Sequence, residues 1–184
     1  MGLSTSVASG IALIAFISLT YAMLYTFTQE MQVIREVYYK LVYMESRKLR
    51  VEISLEVNSV AGRSLNITVR NTGSEPIFLS NYSALRNDII VAYFNSTWVS
   101  YLAEYSVLSI RVAGAAVEFD PSTHNVINPG EEAFIQVYLP SSAPEIPVNS
   151  TVTVVFVSHY GVTARGRGVS CLLYTSDAAD ELDG

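Results

Sequence analysis

The stretch Leu49-Arg-Val-Glu-Ile-Ser-Leu-Glu-Val57 decides the fold. Leu49, Val51, Ile53, Leu55 and Val57 alternate with Arg50, Glu52, Ser54 and Glu56, the period of two that a half-buried strand requires and a helix cannot use. Leu65, Ile67 and Val69 repeat the pattern against Asn66, Thr68 and Arg70, and Asn71-Thr72-Gly73-Ser74 then supplies turn chemistry. Further strands are expected at Ile77–Asn81, Asp88–Phe94, Tyr105–Val112, Ala115–Phe119, Ala133–Leu139 and Thr151–Ser158. Val162–Val169 would close the set, weakened by Gly166 and Gly168. Asn128-Pro129-Gly130 reads as a turn between two strands, and Pro140 to Pro147 as a surface connection. Short strands at near-regular spacing with no intervening helix predict an antiparallel β-sandwich over residues 49–170. Its core should take Leu49, Val51, Ile53, Leu55, Leu65, Ile67, Val69, Ile135, Val137, Val152, Val154 and Phe156.

Upstream the period changes. No charged side chain occurs between Gly2 and Gln29, and Val7–Phe27 is dominated by Ile, Leu, Ala, Phe, Tyr and Met. About 20 such residues, rising ~1.5 Å each, cover a hydrocarbon core of ~30 Å. Ser9, Gly10, Ser18 and Thr20 are tolerated in membrane helices, and Tyr21 and Tyr25 suit an interfacial end. A cleaved secretory signal fits less well, because a basic leading region and a small-residue cleavage site before Glu30 are both missing. No Gly or Pro falls between Gly10 and Gly62, so the helix is expected to continue through Lys48 as a stalk. There Ile34, Val37, Tyr38, Leu41 and Met44 form an apolar stripe for packing, against the following domain or a second copy of the helix. Residues 1–48 thus read as anchor and stalk.

Composition excludes several functions. The chain has 184 residues, of which 50% are hydrophobic and 15% charged. The net charge of −6 without basic blocks argues against a nucleic-acid binder. One cysteine and two separated histidines exclude a disulfide framework and a Cys/His zinc site. The last residues stand apart. Cys171-Leu-Leu-Tyr-Thr-Ser-Asp-Ala-Ala-Asp180 is the translation of TGTCTCTTATACACATCTGACGCTGCCGAC, a transposase adapter strand from DNA library preparation, and Glu181 continues it. Residues 171–184 are therefore expected to be an adapter-derived tail. Without its four acids (Asp177, Asp180, Glu181 and Asp183) the balance is 11 basic against 17 − 4 = 13 acidic, a net of −2.

No catalytic, cofactor-binding or metal-binding constellation emerges. His124 and His159 have no sequence partners, Asp88 and Asp120 are isolated, and Arg165-Gly-Arg167 reads as a solvated tip. There is no nucleophile elbow and no Gly-rich phosphate loop. One motif class has a mechanism: Asn66-Ile-Thr, Asn81-Tyr-Ser, Asn95-Ser-Thr and Asn149-Ser-Thr match the N-glycosylation acceptor pattern. Four acceptors favour a domain outside the cytoplasm. Arg35, Lys40, Arg47 and Lys48, all following the span, pull the other way under positive-inside counting.

The opening Met1-Gly-Leu-Ser-Thr-Ser resembles the start of the archaeal flagellum (archaellum) accessory proteins F and G, with no Lys or Arg before Gly2. The likeness continues in Val69-Arg-Asn-Thr-Gly73, in Leu85-Arg-Asn-Asp-Ile-Ile-Val91 and in Asn128-Pro-Gly-Glu-Glu132, followed by Phe134-Ile-Gln-Val-Tyr-Leu-Pro140. The Met-Gly-hydroxyl start and single long sandwich resemble the F member more. This resemblance implies a single-pass anchor in the cytoplasmic membrane and an immunoglobulin-like sandwich outside it. It also implies a non-enzymatic stator role, holding the motor against the surface layer, without cofactor, small-molecule substrate or nucleic acid. The partners implied are the membrane, a surface-layer protein or a second accessory protein, and a homodimer is compatible. Two other readings stay open: an archaellin or type IV pilin-like filament subunit, and a generic anchored surface β-domain.

Overall fold

The computed structural model describes residues 2–79 and 86–171. The chain divides between Ser46 and Arg47 into two compact units. The first belongs to a single helix, α1 (Gly2–Lys48), whose last two residues fall in the second unit. At ~1.5 Å per residue its 47 residues reach about 70 Å. One stretch of α1 is long and apolar enough to cross a membrane. The hydroxyls in it need no water: Ser18, Thr20 and Thr26 donate to the carbonyls of Ile14, Phe16 and Ala22 at 2.7, 2.8 and 2.9 Å. In the stalk, Ile34, Val37, Tyr38, Leu41 and Met44 are all exposed.

The second unit is the expected antiparallel sandwich. Its strands, numbered along the chain, are β1 (Ile53–Ala61), β2 (Ser64–Asn71), β3 (Ile77–Phe78), β4 (Asp88–Asn95), β5 (Thr97–Val112), β6 (Glu118–Phe119), β7 (Val126–Ile127), β8 (Glu131–Tyr138), β9 (Thr151–Val157) and β10 (Thr163–Val169). Hydrogen-bonded order runs β1-β2-β8-β5-β4-β9-β10, with β6 on β5 and a separate β3-β7 pair. β5 serves both layers. Its first half pairs with β4 (Ile89↔Ala103 to Asn95↔Thr97), and its second with β8 (Glu104↔Tyr138 to Val112↔Glu131), across an irregularity between Val107 and Ser109. The layers are filled from both sides by Leu65, Ile67, Val69, Ile135 and Val137 and by Ile89, Val91, Tyr93, Val152, Val154 and Phe156, all essentially fully buried.

The strand start at Leu49 is corrected. The helix continues through Lys48 and closes in a turn, Arg50 N–H to Arg47 O at 3.0 Å and Val51 N–H to Lys48 O at 3.2 Å. Leu49 is left at that turn, 81% exposed, while Val51 is buried and Ile53 and Leu55 pack against the core. The backbone of 50–52 is engaged elsewhere. Glu52 O accepts from Thr72 N–H at 2.9 Å and Gly73 N–H at 3.0 Å, and Arg50 O from Ser74 N–H at 2.9 Å. Gly73 is required here: a Cβ would strike the Glu52 amide and come within 2.5 Å of Arg50 O. Other elements differ from expectation. β5 begins at Thr97, not Tyr105; the Ala115 end of its neighbour lies in the turn around Gly114 (φ +77°), leaving only Glu118–Phe119; and β7 was not anticipated. The expected strand at Ile77–Asn81 forms over Ile77–Phe78, and its end from Ser80 lies outside the described residues, as do Leu85 and the tail from Leu172.

Candidate interaction surface

The sequence-selected polar residues lie in separate places. His124 stacks on Phe119 (centroids 4.7 Å apart), with Nε2 3.0 Å from Glu131 Oε2. Glu131 also accepts from Asn128 N–H at 2.8 Å and from Asn128 Nδ2 at 3.2 Å, so this carboxylate ties down the Asn128-Pro129-Gly130 turn. Burial pushes its pKa up, but those hydrogen bonds outweigh burial and hold it below the usual carboxylate range. His159 belongs to a different end, its ring 4.0 Å from Tyr160 and 5.8 Å from Phe78 by centroid. Its buried Nδ1 has no hydrogen-bond partner among the described residues, and burial first, then the nearby Arg47 charge, pushes its pKa down. Asp120 accepts from Ser122 N–H at 2.8 Å in its own turn, and Asp88 pairs with Arg86 at 3.0 Å. Among the described residues there is no group of three or more His, Cys, Asp or Glu that could hold a metal.

The acceptor asparagines also differ in setting. Asn66 is exposed within β2, Asn95 is half-buried at the β4–β5 tip, and Asn149 is exposed just before β9. Asn81 lies outside the described residues.

What the sequence reading missed is a face. β4 is apolar on both parities: Ile89, Val91 and Tyr93 point into the core, and Ile90, Ala92 and Phe94 point out. β5 does the same with Val99, Tyr101 and Ala103 inward and Trp98, Ser100 and Leu102 outward. Register aligns the outward residues into rows. One row reads Leu102–Ile90–Val155–Arg165, the next Ser100–Ala92–Thr153–Arg167, and Phe94 faces Trp98 beyond them. Trp98 is 70% exposed, Leu102 53%, Phe94 50% and Ile90 37%, with the Phe94 and Trp98 rings edge to face at 6.0 Å. Arg165 and Arg167 border the patch on β10, and neither makes an ion pair among the described residues. Apolar side chains scattered singly need no explanation, but a contiguous exposed set centred on Trp and Phe has the composition of an interaction surface. The readable signal was the strand with apolar residues at both odd and even positions, since a sheet with a solvated face alternates.

No protein-family model and no curated protein matches the chain. Solved structures do. The archaeal flagellum of Methanospirillum hungatei superposes with a TM-score of 0.57 at 13% identity, over 90% of this chain and 93% of that one. The fold is one that archaellum proteins use. The archaellum periplasmic stator protein FlaG from Sulfolobus acidocaldarius is also similar, at 18% identity over 64% of this chain and all of that one, with a TM-score of 0.39. So is a chain of the FlaF and FlaG stator complex from the same organism, at 16% identity over 62% of this chain and 88% of that one, with a TM-score of 0.39.

Proposed function

We propose that this chain is a non-enzymatic stator component of the archaellum, most like its F member. It is anchored in the cytoplasmic membrane by Val7–Phe27, with its sandwich outside. The observation that carries the reading is the exposed pair Leu102–Ile90, continued by half-buried Val155, with exposed Phe94 and Trp98 beside it, on a domain whose chain also contains an uncharged anchor. Such a face serves adhesion rather than chemistry: buried aromatic anchors dominate protein–protein binding, and Trp leads them. A stationary motor part needs a hold on the membrane and a hold on something outside it. The sandwich supplies the second by binding a second accessory protein or the surface layer; a second copy of the chain is the remaining occupant.

A filament-subunit reading keeps one specific support. The likeness to the Methanospirillum hungatei flagellum extends over 90% of this chain, more than the sandwich alone accounts for. A helix uncharged from Gly2 to Gln29 would pack in a filament core as readily as in lipid.

Deletion of the gene in its own host separates the two. The stator reading expects cells that make filament subunits but do not swim, and a strain carrying Trp98→Asp with Leu102→Asp that behaves likewise while the variant protein is present and folded. A motile deletion strain would sink the proposal. A purified filament composed of this chain would replace it with the filament reading.

A further inference from the structure

We infer that Asn149 is the acceptor of an N-linked oligosaccharide and that Asn66, which fits the same tripeptide pattern, is not. The inference rests on the proposed placement of the sandwich outside the cytoplasm.

Transfer forms a bond between Asn Nδ2 and the anomeric carbon of a polyprenyl-phosphate-linked oligosaccharide. The phosphate-bearing lipid leaves with the bonding electron pair, and the amide gives up one proton. The acceptor must therefore offer its amide nitrogen, the hydroxyl two residues on and at least one unpaired edge of backbone to an enzyme's cleft. Asn66 offers none of these in the folded domain. It sits inside β2, opposite Ser59 of β1 and Gln136 of β8, so both edges of its strand are paired. Its Nδ2 donates to Ser59 Oγ at 3.1 Å. The required hydroxyl, on Thr68, is buried and exchanges hydrogen bonds with the Asn58 side chain at 3.0 and 3.1 Å. Reaching it would mean opening three strands of the sheet.

Asn149 differs on each count: its tripeptide is paired on one side only, with Val169 and Ser170, and among the described residues the β4–β9 pairing stops at Tyr93↔Val152. Asn149 is exposed, adopts φ +62°, a left-handed conformation that Asn tolerates better than most residues, and its side chain makes no hydrogen bond among the described residues. Thr151 is exposed at the first position of β9. The loop that presents the tripeptide is fixed: the Tyr93 hydroxyl donates to Pro144 O, Ile146 N–H to Gly62 O at 3.1 Å, and Asn149 N–H to Ser170 O at 2.8 Å. Asn95 is intermediate. It lies at a tip before Ser96 (φ +59°), but it is half-buried and its Nδ2 faces Glu145 O at 3.4 Å. Asn149 lies at the start of β9 and Tyr160 beyond its end; seven residues at ~3.3 Å put about 20 Å between the sugar and the Arg47–Tyr160 contact.

The test is production of the full chain in an archaeal host that glycosylates its own Asn-X-Ser/Thr proteins, with intact mass and glycopeptide mapping. Whole cells are treated in parallel with a membrane-impermeant maleimide, which reports the side of the membrane through exposed Cys171. Labelled Cys171, glycan on Asn149, less on Asn95 and none on Asn66 is the expected result. The Thr151→Ala variant should lose one oligosaccharide mass at an unchanged thermal midpoint, without disturbing the left-handed Asn149. Labelled cells with a bare Asn149, or with Asn66 occupied as fully as Asn149, would overturn the inference and leave the extracytoplasmic reading standing. Unlabelled Cys171 would overturn both.

Discussion

Gly168 of β10 and Val57 of β1 meet so closely that a Cβ on the glycine would lie 2.5 Å from Val57 Cγ1. Two residues earlier, Gly166 faces the same strand, where a Cβ would fall 3.0 Å from Leu55 O. The glycines are spacers that let the first and last strands of the sandwich close on each other. Gly168→Ala is expected to destabilise the domain by about 1–3 kcal/mol, the usual cost of overpacking, while Arg167→Ala next to it changes stability by no more than about 0.5. Urea unfolding of both variants tests this, and equal midpoints would show that the seam is loose.

Asn71 is fully buried and spends its side chain on three bonds: Nδ2 donates to Glu75 O at 2.8 Å and Ile127 O at 2.9 Å, and Oδ1 accepts from Gly73 N–H at 3.0 Å. Asn71→Ala strands those groups, each at about 1–3 kcal/mol. The thermal midpoint should fall further than for Asn66→Ala on the exposed face of the same strand.

Stability should fall on the mildly acidic side because of His159. Its folded-state pKa lies below the ordinary imidazole value of about 6.5, so the unfolded chain takes up the proton first. Its contribution is complete above that value, declines as pH falls through it towards the folded pKa, and is level below. His159→Phe keeps a ring between Phe78 and Tyr160 and should flatten the stability profile in this window. An unchanged slope would assign the titration elsewhere.

Glu131 works lower on the scale. Its folded pKa is depressed, so its stabilisation is present above the unfolded value of about 4.3 and is lost as pH falls through the folded one. Glu131→Gln puts an amide donor against the donors of Asn128 and should lower stability at neutral pH, with a shallower loss in acid. Unfolding curves at pH 7 and pH 3.5 distinguish this from a plain packing defect.

Deleting Cys171–Gly184 should leave the thermal midpoint unchanged, since the last backbone bond of the sandwich among the described residues is Ser170 N–H to Ser150 O at 3.1 Å. A lowered midpoint would show that the proposed adapter-derived segment contributes to the fold.

Much of this architecture was legible because burial writes a period into the chain. Leu65, Ile67, Val69, Ile135, Val137, Val152, Val154 and Phe156 alternate with polar or less buried residues, and all are buried. Leu49 obeyed the same period by coincidence: local alternation does not report where the preceding helix ends, and α1 carries it past the first strand position. Leu49→Ala should accordingly be near neutral where Ile67→Ala costs about 2–5 kcal/mol. Gly166 and Gly168 were read as weak strand formers, a local property, when their use is a contact with residues more than a hundred positions away. The outward row of Ile90 and Leu102 was illegible for a related reason. Two apolar parities on one strand look like deeper burial until the neighbouring strands are in place.

The double membership of β5 has a mechanical consequence. In a sandwich whose layers touch only through side chains, a sideways load on one layer is resisted by packing alone, and the layers can slide. Here a single backbone turns the corner from the β4 side to the β8 side. A load applied to the outer row of Trp98 and Leu102 therefore runs along covalent bonds into the layer that holds β1 and β2. The sandwich would behave as a folded beam, resisting shear between its layers through one continuous backbone.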